Sequence, residues 1–300
     1  MFKSEQMKPL LSIVVPVCKM AGKMQNLKTW ISLAGNYDVE IWIIHDRQDD
    51  FTGDELVNLI HQLDNPNVFY HEEYFGAPGL ARNKGLEQAR GEWVCFWDSD
   101  DLPNIRNAVE AIQDSAKDSN VLIGQFQRKN EINRVIVSNS YTSSIHQLGV
   151  DPGIWRFIFK RELLHEIRFG RLRLGEDQLF LASLPFRRLR IEFLQVNLYT
   201  YFVGNHGHQS SNMRYVDDLL LGIGFLRNRI FKKGYSKEEL TEIVLVNMIL
   251  TALFRGTFKV RRVALFTTFS IYVKTNNQLR IRITKLVYGR LVSKINHRAE

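Results

Sequence analysis

Cysteine is nearly absent from this chain. Its 300 residues include two, Cys18 and Cys95, too few for a disulfide framework or a cysteine-based zinc site. Both lie in apolar runs, so buried free thiols in a reducing compartment are expected. Seven prolines and 19 glycines follow no period, which excludes collagen-like and repeat architectures. Long hydrophobic runs are missing too. The longest, Ile243–Phe254 and Val263–Val273, hold about a dozen residues each, and a bilayer span takes about 20. The apolar run Leu10–Val17 contains Pro16 and is too short for a signal peptide with its cleavage site; it reads as a strand. Low hydrophobicity is absent as well. With 45% hydrophobic and 24% charged residues, the chain has enough apolar surface to fold.

Acidic charge is scarce in one region only. Residues 1–214 carry 24 Lys and Arg against 26 Asp and Glu, whereas residues 215–300 carry 16 against 6. The net charge of +8 therefore resides in the last 86 residues, and two parts with different surroundings are expected.

Continuous β-branched runs mark strands at Leu11–Val17, Ile41–Ile44, Val68–Tyr70 and Trp93–Trp97. Helical periodicity separates them, over Met24–Leu33, Asp54–Leu63 and Leu80–Ala89. Strands buried on both faces and alternating with helices imply a parallel α/β sheet. Such sheets bind ligands at the carboxyl ends of their strands. That rule selects Cys18-Lys19, His45-Asp46-Arg47, the turn-rich Gly76–Gly79 and Asp98-Ser99-Asp100-Asp101. Asp98 and Asp100 share one side in extended geometry, and two such carboxylates suit a hard divalent cation, Mg²⁺ or Mn²⁺. Asp101 fits a helix cap before Pro103. Arg82 lies in the first turns of a helix whose N-terminus favours anions, and its guanidinium can reach a phosphate.

In order and interval, IVVPV, IIHD, GAPGLARNKGLEQARGEWVCFWDSDD and GEDQLFL resemble the family 2 glycosyltransferases of the GT-A fold. The resemblance covers about residues 10–212 and extends to the acceptor-side segment Trp155–Phe186. It implies an α/β fold with a Rossmann-like nucleotide-sugar-binding sheet, helices on both faces and, here, a C-terminal helical extension. The implied domain spans 8–214, with a nucleotide-binding half at 8–102 and an acceptor half at 103–214; residues 215–300 form the basic extension.

The resemblance also assigns roles. Pro16 and Val17 open the nucleotide loop. Asp46 contacts base or ribose, although His45-Asp46-Arg47-Gln48 departs from the family's usual acidic pair followed by Gly-Ser. Arg82, Asp98 and Ser99 belong to the nucleotide site, and Asp98 and Asp100 hold the metal. Glu176 and Asp177 form the catalytic pair, with Asp177 as general base. His208, and less clearly His206, belongs to a loop over the diphosphate. Trp155 fits either a sugar-stacking residue or a core aromatic.

The implied activity is inverting, metal-dependent transfer from a nucleotide-diphosphate sugar, UDP-sugar being favoured. The acceptor is a saccharide or a polyprenyl-linked saccharide in surface-polysaccharide assembly. A nucleotidyltransferase would carry a glycine-rich signature after the first strand, and none is present. A catalytically silent homologue is disfavoured by Asp98, Asp100, Arg82 and Asp177. The tail reads as helices over Asp217–Ile230 and Lys237–Phe254, with Ser236 as a cap, and basic segments at Lys259–Arg262 and Arg280–Lys294. Interleaved apolar residues there suit an anionic membrane surface, so a cytoplasmic protein peripheral on the inner face is expected. No nucleic-acid module is present, and no nucleic-acid partner is expected.

Overall fold

A computed structural model describes residues 8–20, 22, 24–49, 51–130, 135–137, 148, 153–202, 215–232, 239–274, 284–285 and 288. The β-branched runs form β1 (Leu11–Val17), β2 (Val39–Asp46), β3 (Val68–Glu73) and β4 (Trp93–Phe96). They pair in parallel in the order β3-β2-β1-β4. The helices α1 (Gln25–Ile31), α2 (Phe51–Leu63) and α3 (Pro78–Gln88) connect them, as parallel pairing requires.

These four strands form the expected parallel sheet, and beyond β4 the sheet becomes mixed. It continues β8-β6-β9-β5, where β5 is Leu102–Pro103, β6 Val121–Lys129, β8 Phe157–Lys160 and β9 Ile191–Phe202. β8 is antiparallel to both β4 and β6, and β6 is parallel to β9. A short β7 (Val135–Val137) pairs with β6.

Helices cover both faces of the parallel part, as expected. The residues of β1 at 11, 13, 15 and 17 join one core with Leu27 and Trp30 of α1, Leu56 and Leu59 of α2, and Ile105 and Ile112 of α4 (Ile105–Asp114). The alternate residues face α3. A Cβ on Gly85 would stand 2.3 Å from Val14 Cγ1 and 3.2 Å from Ile44 Cγ1. Only glycine lets α3 lie this close to β1 and β2.

The starting edge of the same face holds a buried carboxylate. Glu40 Oε1 accepts from Ser12 Oγ (2.6 Å) and Arg90 N (2.6 Å), and Oε2 from Arg90 Nε (2.9 Å). Gly91 N closes the network on Ser12 Oγ (2.8 Å). The Ala-Arg-Gly end of the long motif thus ties α3 to the sheet, far along the strands from their carboxyl ends.

α4 begins differently from the expectation. Its cap is Asn104, whose side chain accepts from Asn107 N, and Asp101 lies buried instead.

The chain packs as two compact units. One comprises Met1–Ser143, Gly153–Arg171 and Arg188–His206; the other comprises Ser144–Pro152, Leu172–Arg187 and Gly207–Glu300. The first contains the sheet. The second contains α5 (Glu176–Ser183), α6 (Asp218–Phe231), α7 (Glu239–Arg255) and α8 (Phe258–Lys274). This division by packing differs from a cut at residue 214. Segment 172–187 belongs with the C-terminal helices.

In that second unit α7 is buried all round from Leu240 to Leu250, the pattern of a central helix. It packs against α5, α6 and α8. Thr241 Oγ1 donates to Ala182 O (3.0 Å), and the Arg229 guanidinium to Ser183 O. Ser236 and most of Arg280–Lys294 lie outside the described residues. Among the described residues, no helix is long and apolar enough to cross a membrane. Cys95 is fully buried and Cys18 half-buried, both as free thiols.

Candidate active site

The first unit gathers most of the expected residues at the carboxyl ends of its parallel strands. Pro16 and Val17 close β1, Asp46 closes β2, and Asp98-Ser99-Asp100-Asp101 follows β4 after Trp97. Arg82 reaches the same region from α3. Its Nη2 donates to Asp98 Oδ1 at 2.7 Å, and its guanidinium lies 5.5 Å from the Phe169 ring centroid. The Arg82 side chain is buried while that of Asp98 is partly exposed. The pair therefore offers an aligned carboxylate to solvent from a fixed support. Pro78 occupies the first turn of α3, where its missing N–H costs nothing.

The acidic turn is held from below by Tyr199 of β9, a residue without a local sequence signal. Its buried hydroxyl accepts from Asp98 N (3.0 Å) and donates to Asp101 Oδ2 (3.0 Å). Asp101 Oδ1 accepts from Phe202 N at 2.8 Å. Burial, then the negative charges of Asp100 and Asp98, push the Asp101 carboxyl well above its ordinary value. Burial likewise raises the Tyr199 hydroxyl, which stays protonated as a donor. Asp100 is anchored through its carbonyl, which accepts from Asn26 Nδ2 at 2.7 Å.

Asp46 has a role that its expected contact with base or ribose did not include. Oδ1 accepts from Phe75 N (2.9 Å) and Gly76 N (3.1 Å), and Oδ2 from Gly76 N (3.1 Å) and Gln48 Nε2 (2.7 Å). Three donors of the chain, with Gly76 N shared between both oxygens, thus occupy most of the carboxylate's four or so acceptor positions. Asp46 thereby fixes the turn that leads into α3 and Arg82.

Its neighbour His45 is buried, with Nδ1 3.0 Å from Tyr70 Oη, and Tyr70 Oη donates to Glu72 Oε2 at 2.8 Å. Burial, then the bond to Glu72, raise the Tyr70 hydroxyl above its ordinary value. Arg47 is exposed.

After β1, Met20 N donates to Thr52 Oγ1 (2.9 Å), and Asp49 accepts from Thr52 N and Oγ1. These bonds dock the post-strand loop on α2. Beside it, burial and the nearby Asp46 carboxylate push the Cys18 thiol up to about 12.

Trp155 resolves as a core aromatic. It stacks on Tyr199 (4.7 Å, 12°) and Tyr201 (5.9 Å, 10°) and meets Phe126 edge-on. Its carbonyl accepts from Trp97 Nε1 at 3.1 Å. The ring supports the acidic turn through Tyr199.

In the second unit, Glu176 and Asp177 open α5 after Gly175, whose φ of +82° favours glycine. Glu176 is buried; Asp177 is partly exposed, and its Oδ1 accepts from Gln178 N at 2.7 Å. A Cβ on Gly175 would meet Met248 and Leu219, so the α5 N-terminus is pressed on α7 and α6. His206 and His208 lie outside the described residues.

Among the described residues, no group of three or more His, Cys, Asp and Glu is arranged to hold a metal ion. Asp98 and Asp100 fit the other mode, in which one or two carboxylates bind a hard ion whose shell is completed by substrate phosphates and water.

The description "Glycosyl transferase family 2" matches residues 12–170, more than half of the chain. The chain belongs to this family. Glycosyltransferase GlyG of Streptococcus pneumoniae serotype 4 is 26% identical over 216 residues, covering 65% of this chain and 71% of that protein. A Campylobacter jejuni protein named GalNAc(5)-diNAcBac-PP-undecaprenol beta-1,3-glucosyltransferase is 32% identical over 93 residues, 31% of this chain and 30% of its own. Among solved structures, S. aureus TarS 1-349 in complex with UDP-GlcNAc superposes with a TM-score of 0.61 at 20% identity, over 92% of this chain and 79% of that one. The mannosyltransferase PcManGT from Pyrobaculum calidifontis, in complex with GDP-Man and Mn²⁺, gives 0.56 at 13% identity, over 95% and 81%. The fold is that of GT-A glycosyltransferases, and the protein is a glycosyltransferase.

Proposed function

We propose that this glycosyltransferase moves a sugar from a nucleotide-diphosphate sugar, UDP-sugar being favoured, to an acceptor hydroxyl with inversion at the anomeric carbon. The acceptor is a saccharide or polyprenyl-linked saccharide in the assembly of a bacterial surface polysaccharide. The observation that carries the reading is the Arg82–Asp98 pair, 2.7 Å apart at the carboxyl ends of the parallel strands, in a chain of family 2. The relative named for an undecaprenol-linked substrate supports the acceptor class.

The donor's nucleotide rests on Pro16 and Val17 and beside the turn that Asp46 fixes. Asp98 and Asp100 would hold Mn²⁺ or Mg²⁺. When bound, that ion supplies positive charge to a leaving diphosphate. Arg82 keeps Asp98 oriented and adds a cation near the phosphates. Ser99, buried and between the two in sequence, belongs to the nucleotide site. Asp177 takes the proton of the acceptor hydroxyl as attack proceeds, and Glu176 helps to seat it. His208 contributes a contact to the diphosphate. The setting is the cytoplasmic face of a membrane, with residues 215–300 peripheral to it.

A panel of nucleotide sugars tests the reading. One donor should be consumed with Mn²⁺ or Mg²⁺ and spared with chelator. Asp100→Ala should abolish metal-dependent nucleotide binding. Asp177→Asn should bind donor normally and lower transfer by a factor of roughly 10²–10⁴. Transfer at the native rate by Asp177→Asn would remove Asp177 from the base role.

A further inference from the structure

The outer side of α8 is apolar where a solvated helix should be polar. At the helical period, Val260, Ala264, Thr267 and Ile271 form the buried stripe. On the opposite side stand Phe258, Leu265, Phe266, Phe269 and Val273. The three phenylalanines keep 78%, 72% and 67% of their surface exposed. One exposed aromatic is ordinary, but a row along a single helix face is not. Both faces of α8 are therefore apolar, and among the described residues the second unit covers only one.

The charges around that row all have one sign. Arg262 lies within it, and Lys259 and Arg261 lie on its two shoulders; all three are exposed. α8 contains no Asp or Glu, and between Glu242 and Glu300 the chain has eleven Lys and Arg and no acidic residue. A second copy meeting this face symmetrically would set Lys259, Arg261 and Arg262 against their equivalents, and like-charge juxtaposition is unfavourable. An anionic surface with an apolar interior complements both features.

We propose that this face docks α8 in the interfacial plane of an anionic lipid bilayer. The phenylalanines enter the acyl boundary, and Lys259, Arg261 and Arg262 meet the phosphate headgroups. The inference rests on the peripheral-membrane reading above and names the surface responsible.

Flotation of the full chain with vesicles tests it. Phosphatidylcholine vesicles with phosphatidylglycerol should carry the protein up, and phosphatidylcholine alone should not. Phe266→Ser with Phe269→Ser should lower partitioning about tenfold or more. Lys259→Glu with Arg262→Glu should abolish the preference for the anionic lipid. These side chains are exposed, so helix content and thermal midpoint should stay native in both variants; that check separates lost docking from lost folding. If the full chain binds and both variants bind equally well, the α8 face is wrong while peripheral attachment stands on other residues. If the full chain binds neither vesicle, both fail. If it instead sediments as a dimer that Phe266→Ser with Phe269→Ser dissociates, the occupant is a second copy and the bilayer proposal is overturned.

Discussion

At the residue scale, the acidic turn shows how a short surface motif depends on a distant side chain. Tyr199 accepts from Asp98 N and donates to Asp101, so one hydroxyl fixes both ends of the turn that presents Asp98 and Asp100. Tyr199→Phe keeps the stack on Trp155 but leaves a buried N–H and a carboxylate oxygen each short of a partner. That should cost about 1–3 kcal/mol, read from the denaturant midpoint, and should weaken metal-dependent nucleotide binding. Native stability in this variant would show that the turn holds without the hydroxyl.

Cys18 gives a second reading at this scale. A thiol pushed up to about 12 from 9.0 has a thiolate fraction near neutral pH about a thousandfold below that of an ordinary cysteine. Alkylation of the native protein by iodoacetamide should be slow at pH 7.5 and should still be rising at pH 10, where an ordinary thiol has levelled off. Because the folded value lies above the unfolded one, the stability linked to this thiol is intact below pH 9 and falls as pH rises beyond it. Rapid labelling at pH 7.5 would contradict the buried, neutral thiol.

At the element scale, β1, β2 and β4 are legible in the sequence because each is buried on both faces and carries an apolar run, whereas β3, buried only at Val68, is legible from its short Val-Phe-Tyr start and the helical periodicity on either side. β6, β8 and β9 are harder to read. β6 ends in Gln-Arg-Lys and β9 is half exposed along its first part, so neither looks like a buried strand, and the antiparallel pairing of β8 has no local sign. The acidic motif was legible for the same reason as its strand. Its support was not: Asp101 looked like a helix cap by position, and its true partners lie about a hundred residues away.

The close approach of α3 is a further element-scale feature, and it can be tested. Gly85→Ala places a methyl against Val14 and should cost about 1–3 kcal/mol through overpacking. It should also displace Arg82, one helical turn earlier, from Asp98. Adding Val14→Ala makes room, so the double variant should be more stable than the sum of the two single losses. Simple additivity in thermal or denaturant unfolding would reject the contact as the cause.

At the scale of the whole molecule, charge and packing divide the chain at different places. Charge divides it near residue 214, because the basic excess begins there. Packing assigns Leu172–Arg187, with Glu176 and Asp177, to the same unit as the C-terminal helices. The bonds are specific: Arg173 N to Asp218 Oδ2 at 2.6 Å, Arg229 to Ser183 O, and Thr241 to Ala182 O. Leu179, Phe180, Leu181 and Ala182 of α5 are buried, and α7 is the helix at the centre of that unit. A chain ending at residue 214 would lose α6, α7 and α8 together, expose those four residues and release the helix that begins with Glu176 and Asp177. It should therefore aggregate or lose transfer even to an acceptor free in solution, while nucleotide binding at the site proposed around Asp98 and Asp100 should be retained in any soluble fraction. Measuring soluble yield, nucleotide binding and transfer side by side separates these outcomes. Full transfer by the truncated chain would mean that the C-terminal helices serve location alone. The expected loss would mean that they also hold the helix carrying Glu176 and Asp177, so the proposed membrane docking has to be probed with surface substitutions on α8 and not by deletion.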